Sequence, residues 1–206
     1  MDRRIEFFRV FSEAMPEETK EVGELILQEF IDKKEEITSA FLSAVDVAWG
    51  KCIEKQKNQE KGTISYLLLS PSLFGVNTGS YDVIISAFDE NMYFDTASAV
   101  GYWRPDFVYR HVHIHLKPIT KLLEKHFIRI MKYELEEFRQ LYASLYHIFL
   151  FKPLLILSQE IHNSSRYNEV KKAENIEVLL GKYMEKTIVL GNIPTNTDQN
   201  ASQIAM

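Results

Sequence analysis

Residues 62–96 constrain the fold most, because they form a block rich in β-branched and aromatic residues between two segments with helical spacing. Within this block, 63–69 and 81–88 have the length and composition of strands, and the Pro, Gly and Asn residues of 71–80 predict a loop between them. Residues 89–91 predict a turn into a third strand over 92–96. The strand segments follow one another too closely for every connection to be a helical crossover, which favours antiparallel pairing.

The segment before this block, residues 1–61, has apolar residues at helical spacing. It predicts a short first helix that ends before Pro16. After it we expect one long helix, or two helices joined at the charged run 32–36. Cys52 falls on the apolar face of this segment, where a buried, unreactive thiol is expected.

The segment after the block, residues 104–166, is also predicted to be helical. Apolar residues recur from Pro118 onward and predict one helix over 118–150. Pro153 should break or kink that helix, because proline lacks the amide proton and clashes with the preceding turn.

Residues 175–191 fit either a helix or two strands. Their β-branched residues and Gly181 favour a β-hairpin. The polar tail 195–206 is expected to be loose. The sequence therefore predicts a single α+β domain over 1–194, in which a mainly antiparallel sheet of three central strands, with the hairpin as a further two, packs with long helices.

Composition restricts the class of protein. The chain has 206 residues, one cysteine and a formal net charge of -5, which excludes an internal disulfide framework and disfavours a surface built entirely for nucleic acid. The first residues lack the apolar run of a secretory signal, and Lys152 and Pro153 interrupt the longest apolar stretch. The expectation is a cytoplasmic protein with no membrane partner.

Charge is unevenly distributed along the chain. Residues 62–103 contain four acidic and no basic side chains, whereas residues 104–146 contain eight basic and five acidic ones. Five of the basic residues recur every three or four positions and predict a basic stripe along one helix: Lys117, Lys121, Lys125, Arg129 and Lys132. The stripe could bind phosphates, an acidic partner or an anionic surface, or it could be the solvated face of an amphipathic helix. It lacks the interleaved aromatic residues of single-stranded nucleic-acid grooves.

Three histidines in five residues are the strongest candidate for chemistry. On a strand, His111, His113 and His115 would share one face and could bind Zn²⁺ or another divalent metal. On a helix, only His111 and His115 would share a face. The alternative is that the imidazoles pack among the neighbouring aromatic residues and that the protein has no cofactor.

Four carboxylates on or beside the predicted strands form a second candidate: Asp82, Asp89, Glu90 and Asp95. Such residues can hold Mg²⁺ or act as acid and base. A nuclease-like site would add a lysine close to one of them, and residues 62–103 contain none. Acidic residues are also ordinary in turns.

Tyr102, Trp103 and Arg104 form a third candidate, because these residue types anchor protein interfaces. They could equally join the sheet to the helical segment, with Arg104 bridging to the acidic strands.

No Walker, GxGxxG, GxSxG or CxxC motif occurs in the sequence. The interpretation that fits best is a non-catalytic protein-binding domain, such as an adaptor, inhibitor or immunity-type factor, with a protein partner or self-association. The alternative is a metal-dependent hydrolase or metal-binding regulator that uses the three histidines.

Overall fold

A computed structural model of the chain describes residues 3–14, 19–72 and 80–194. The protein is α+β, with 57% of residues helical and 21% in strands, and its five strands form one sheet. The predicted fold class is therefore confirmed. The predicted tail 195–206 lies outside the described residues. The chain divides into two compact units, and the prediction of a single domain stays a prediction.

The first unit is helical and consists of residues up to Ile37, Ser72–Asp82 and Arg104–Pro153. Helices α3 and α6 each lie partly in this unit and partly in the second, and the others lie wholly within it. The bounds are α1 Arg3–Ala14, α2 Thr19–Asp32, α3 Lys34–Lys57, α4 Asp106–His126, α5 Lys132–Leu145 and α6 His147–Gln159.

The predicted helix over 118–150 is wrong in its bounds. Helix α4 begins twelve residues before Pro118, since Asp106 is its first residue, and it includes the proline on its exposed side. The chain leaves the helix at Phe127, whose backbone is extended. Helix α5 then restarts because the carboxylate of Glu134 accepts the backbone N–H of Met131 at 2.8 Å and so caps the new helix. Pro153 lies inside α6 and does not end it.

One stretch, Lys132–Gln159, is long and apolar enough to cross a membrane by length and composition only. The expectation of no membrane-spanning segment stays a prediction. A turn at Tyr146 interrupts it, and 44% of its most apolar window is buried within the protein. The stretch does not indicate a membrane-spanning protein.

The second unit contains the sheet and consists of Thr38–Pro71, Val83–Trp103 and the described residues from Leu154 onward. The strands are β1 Ile64–Pro71, β2 Val83–Asp89, β3 Val100–Trp103, β4 Lys172–Gly181 and β5 Thr187–Pro194. Their order in the sheet is β3-β2-β1-β4-β5. Three ladders are antiparallel and the β1–β4 ladder is parallel, so the sheet is mixed but mainly antiparallel.

The hairpin predicted over 175–191 is confirmed as the antiparallel pair β4–β5. The third strand predicted over 92–96 is wrong, because Met92–Phe94 form a 3₁₀ turn and β3 begins later, at Val100. The carboxylate of Asp95 explains this difference. It accepts the backbone N–H groups of Asp89 and Ala97 and so holds the connection between β2 and β3 in a loop.

One face of the sheet packs against α3. Gly101 on β3 faces this helix, and a Cβ at this position would overlap the carbonyl oxygen of Ala44. Beside it, the rings of Trp103 and Phe41 meet edge to face with centroids 5.3 Å apart. The absent side chain at Gly101 thus permits the close approach of strand and helix.

Candidate functional site

The three histidines all lie on α4. His115 forms a hydrogen bond of 2.8 Å between its Nδ1 and the Tyr146 hydroxyl, whereas the His113 ring packs edge-on against Tyr81. A helix directs neighbouring positions in different directions, so the three imidazoles do not converge. Among the described residues, no group of three or more His, Cys, Asp or Glu side chains could hold a metal ion. The structure therefore gives the metal site at His111, His113 and His115 no support.

An aromatic cluster surrounds this part of α4, as the alternative interpretation of the histidines expected. The rings of Tyr81 and Tyr109 stack with centroids 4.7 Å apart, and burial raises the pKa of both hydroxyls. Neither hydroxyl has a hydrogen-bond partner within the described part of the chain. Burial also lowers the pKa of His111. The i, i+4 spacing of Tyr109 and His113 was the available sequence signal, but Tyr81 comes from a distant segment.

The predicted carboxylates lie in two different units of the chain. Asp82 belongs to the helical unit and accepts a hydrogen bond from the Ser80 hydroxyl. In the sheet unit, Asp89 is buried and accepts the backbone N–H groups of Gly62 and Asn91, at 3.1 and 2.9 Å. Glu90 is exposed. Because the oxygens of Asp89 bond to nearby backbone donors, their role is structural.

Asp95 has a partner that sequence reasoning missed. The ammonium of Lys61 contacts its carboxylate, and the same ammonium donates a hydrogen bond of 2.8 Å to the carbonyl oxygen of Ala97. Lys61 lies one residue before the lysine-free block 62–103, so the composition of that block gave no indication of this ion pair. The pair is closed to solvent and fixes the β2–β3 connection.

The predicted anchor residues 102–104 have three different environments. Tyr102 is 60% exposed, whereas Trp103 is buried, so Trp103 cannot be a surface anchor as predicted. Arg104 pairs at 2.9 Å with Asp106 at the start of α4, and the bridge from Arg104 to the acidic strands stays a prediction. Of the three, Tyr102 and Arg104 are exposed and Trp103 is not.

The five basic residues do not lie along one helix as predicted. Lys117, Lys121 and Lys125 lie on the exposed side of α4, Arg129 lies in the connection to α5, and Lys132 begins α5. Exposed apolar side chains lie among them. We call the combined set the basic–apolar surface, which consists of Ile114, Lys117, Lys121, Leu122, Lys125, Ile128, Arg129, Met131, Lys132 and Tyr133.

The face of the sheet opposite α3 is only partly covered. At one end, the rings of Phe88, Tyr93 and Tyr183 pack together over Leu68 and Leu179. Elsewhere this face carries side chains that are partly or largely exposed. We call them the open sheet face, which consists of Tyr66, Ile84, Val100, Tyr102 and Val189.

Comparison with known proteins finds no matching family model, no matching curated protein and no matching solved structure.

Proposed function

We propose that this chain is a non-catalytic protein-binding domain and that the open sheet face binds a second copy of the chain. The observation that carries the proposal is the composition of this face. Tyr102 and Val189 are 60% and 53% exposed, and both lie on strands at the two edges of the sheet. Exposed apolar side chains on one face are a feature of interaction sites, and tyrosine is enriched at protein interfaces because it combines a large apolar ring with a polar group.

The strand registers place these side chains on one face. Tyr102 pairs with Ile84, and Ile84 pairs with Ser70 on β1. One row along, Leu68 pairs with Leu179, which in turn pairs with Val189. Residues that are directly opposite in a ladder point to the same side of the sheet. The exposed side chains therefore lie on the side of the sheet opposite α3, with the buried Ser70, Leu68 and Leu179 between them.

The charge of this face favours a second copy as the occupant. The side chains of the open sheet face are all uncharged at neutral pH, and the partly exposed Glu177, paired with Tyr66, lies at its margin. An uncharged face does not repel its own copy, and a two-fold interface brings the same patch together from both chains. Two sheets can pack face to face about 10 Å apart with interdigitating side chains.

The experiment is a measurement of native mass by sedimentation velocity over a range of protein concentrations. We expect a concentration-dependent dimer, and we expect Tyr102→Glu and Val189→Glu each to weaken dimerisation at least tenfold by burying a charge in the interface. Val47→Glu, at a half-exposed position on α3 in the same unit, is the matched control and should leave dimerisation unchanged.

A wild-type chain that stays monomeric at high concentration would overturn the proposal, as would a dimer that both sheet-face variants leave intact. Circular dichroism of each variant distinguishes loss of association from loss of folding. A monomer that instead binds a different purified protein, with loss of that binding in Tyr102→Glu, would support the binding class and replace the second copy as the occupant.

A further inference from the structure

The connection between α4 and α5 exposes apolar side chains at the end of the helical unit. Ile128 is fully exposed there, and Met131 and Tyr133 are 55% and 64% exposed. Between them the chain places Arg129 and Lys132, so apolar and basic residues alternate along the connection. Isoleucine and methionine side chains are unfavourable when they are exposed to water. Beside cations, they are typical of a surface that contacts a membrane or another molecule.

This connection is held in place by its own contacts. The guanidinium of Arg3 on α1 donates to the carboxylate of Glu134 at 2.7 Å and also donates to the backbone carbonyl of Arg129. The same guanidinium lies over the ring of Phe127, 5.4 Å from its centroid. Glu134 in turn accepts the N–H of Met131. The exposed position of Ile128 is therefore fixed by the fold around it.

Positive charge lies beside the apolar residues on α4 and in the connection, whereas Glu134, Glu136 and Glu137 follow on α5. Residues 114–133 contain five Lys and Arg side chains and one carboxylate, Glu124. Among the described residues, no carboxylate pairs with Lys117, Lys121, Lys125 or Arg129, whereas Lys132 lies 3.7 Å from Glu136.

On α4, the three lysines share the exposed side with Ile114 and Leu122, opposite the buried Val112, Leu116, Ile119 and Leu123. The surface thus combines local positive charge with apolar groups that are available to insert.

We propose that the basic–apolar surface binds peripherally to an anionic lipid bilayer, with Ile128, Met131 and Tyr133 inserted at the level of the headgroups. The inference goes beyond the proposed function and uses a different unit of the chain. It departs from the sequence-based expectation of no membrane partner and takes up the anionic surface that the basic residues were expected to be able to bind.

The shape of the surface favours a bilayer over an acidic protein. The apolar residues lie at a turn between two helices, where Ile128 is exposed on all sides, and not in a groove. A protein partner would need a pocket that matches this turn, whereas the boundary between headgroups and acyl chains adapts to it. Anionic headgroups also attract lysine and arginine side chains at the surface, and tyrosine is favoured at that depth.

The experiment measures binding of the purified full chain to vesicles by flotation. The two compositions are pure phosphatidylcholine and a mixture in which about one lipid in three is phosphatidylserine. We expect binding to the anionic vesicles and little binding to the neutral ones, with a decrease as salt is raised. Ile128→Asp and the double variant Lys121→Glu/Lys125→Glu should each weaken binding at least tenfold.

Matched controls test whether position, and not total charge or hydropathy, determines binding. Ile31→Asp replaces a half-exposed apolar residue on α2 in the same unit, and Lys34→Glu/Lys186→Glu makes the same charge change at exposed lysines elsewhere. Both controls should bind vesicles as the wild type does. Tyr102→Glu, in the sheet unit, should also leave vesicle binding intact, so failure of the proposed dimer and failure of this inference are distinguishable.

Three results would overturn the inference. The first is absence of binding to anionic vesicles at low salt. The second is binding that Ile128→Asp does not weaken, because insertion of the turn would then play no part. The third is binding to polyglutamate with an affinity equal to that for the anionic vesicles and the same dependence on Ile128, which would assign the surface to an acidic protein.

Discussion

The ammonium of Lys61 and the carboxylate of Asp95 form an ion pair from which solvent is excluded, with 0% and 2% of the two side chains exposed. The pair joins the segment just before β1 to the loop between β2 and β3. Each charge has further partners, because Lys61 also donates to the Ala97 carbonyl and Asp95 accepts two backbone N–H groups. Because each charged group has these additional hydrogen bonds, the two charges can remain buried together.

Replacement of Lys61 by methionine should destabilise the protein strongly. It leaves the Asp95 carboxylate buried without a compensating charge, and loss of one partner of a buried pair costs about 3–5 kcal/mol. The free energy of unfolding, measured by urea titration, should fall by this amount. Lys34→Met, at an exposed lysine, should change it by less than about 0.5 kcal/mol.

A double-mutant cycle separates the pair from its other contacts. Lys61→Met/Asp95→Leu should lose less stability than the sum of the two single variants, because neither charge is then left alone. Strictly additive losses would show that the two side chains do not interact in solution.

Gly101→Ala should destabilise the sheet unit because the new methyl group would overlap the Ala44 carbonyl oxygen. The strand and α3 must then separate, and overpacking of this kind costs about 1–3 kcal/mol or more. Gly191→Ala on β5 is the matched control, since a methyl group added there would have no atom within 4 Å, and it should be neutral or slightly stabilising. Equal unfolding midpoints for the two variants would contradict the close approach of β3 to α3.

Local patterns predicted the secondary-structure types better than their bounds. Strand composition placed β1, β2 and the β4–β5 hairpin correctly, because it depends on neighbouring residues. The third strand was misplaced because its position depends on Asp95, whose backbone hydrogen bonds make the residues before β3 a loop. The break between α4 and α5 likewise depends on Glu134 and Arg3, which are far apart in sequence.

The candidate sites, too, were predicted only where local sequence patterns were sufficient. The basic residues and Tyr102 were found from residue type and spacing, and they are exposed. Trp103 has the same interface character in sequence but packs against Phe41, and this contact between distant segments has no local signal. The exposed apolar partners of the basic residues, Ile128 and Met131, fall within the helix predicted from the sequence, and they form a surface only because α4 ends at His126.

The pKa of Glu134 should depend on Arg3. The hydrogen bond from the Arg3 guanidinium, together with the Met131 N–H, holds the pKa of this carboxyl below its usual range. The stabilisation is therefore present above the carboxyl pKa of the unfolded chain, about 4.3, and is lost as pH falls through the lower folded value. In Arg3→Gln, the Glu134 titration midpoint followed by carboxyl carbon NMR should rise towards the ordinary value.

Arg9→Gln on the same helix provides the control for this titration, because Arg9 pairs with Glu13. It should leave the midpoint of Glu134 unchanged. An unchanged midpoint in Arg3→Gln would mean that the guanidinium does not contact Glu134 in solution, and the turn that carries Ile128 would then lack this contact to α1.

Tyr109→Phe should stabilise the helical unit. The Tyr109 side chain is buried on α4 and stacked on Tyr81, and its hydroxyl has no hydrogen-bond partner among the described residues. Burial of a hydroxyl without a partner is unfavourable, so its removal should raise the free energy of unfolding, measured by urea titration, by about 1 kcal/mol.

Tyr142→Phe is the opposite case, because the Tyr142 hydroxyl lies 3.2 Å from that of Tyr146 within a hydrogen-bonded chain that reaches His115. Loss of that bond should lower the free energy of unfolding by about 0.5–1.5 kcal/mol. If Tyr109→Phe is destabilising by a similar amount, the Tyr109 hydroxyl must be hydrogen bonded in solution.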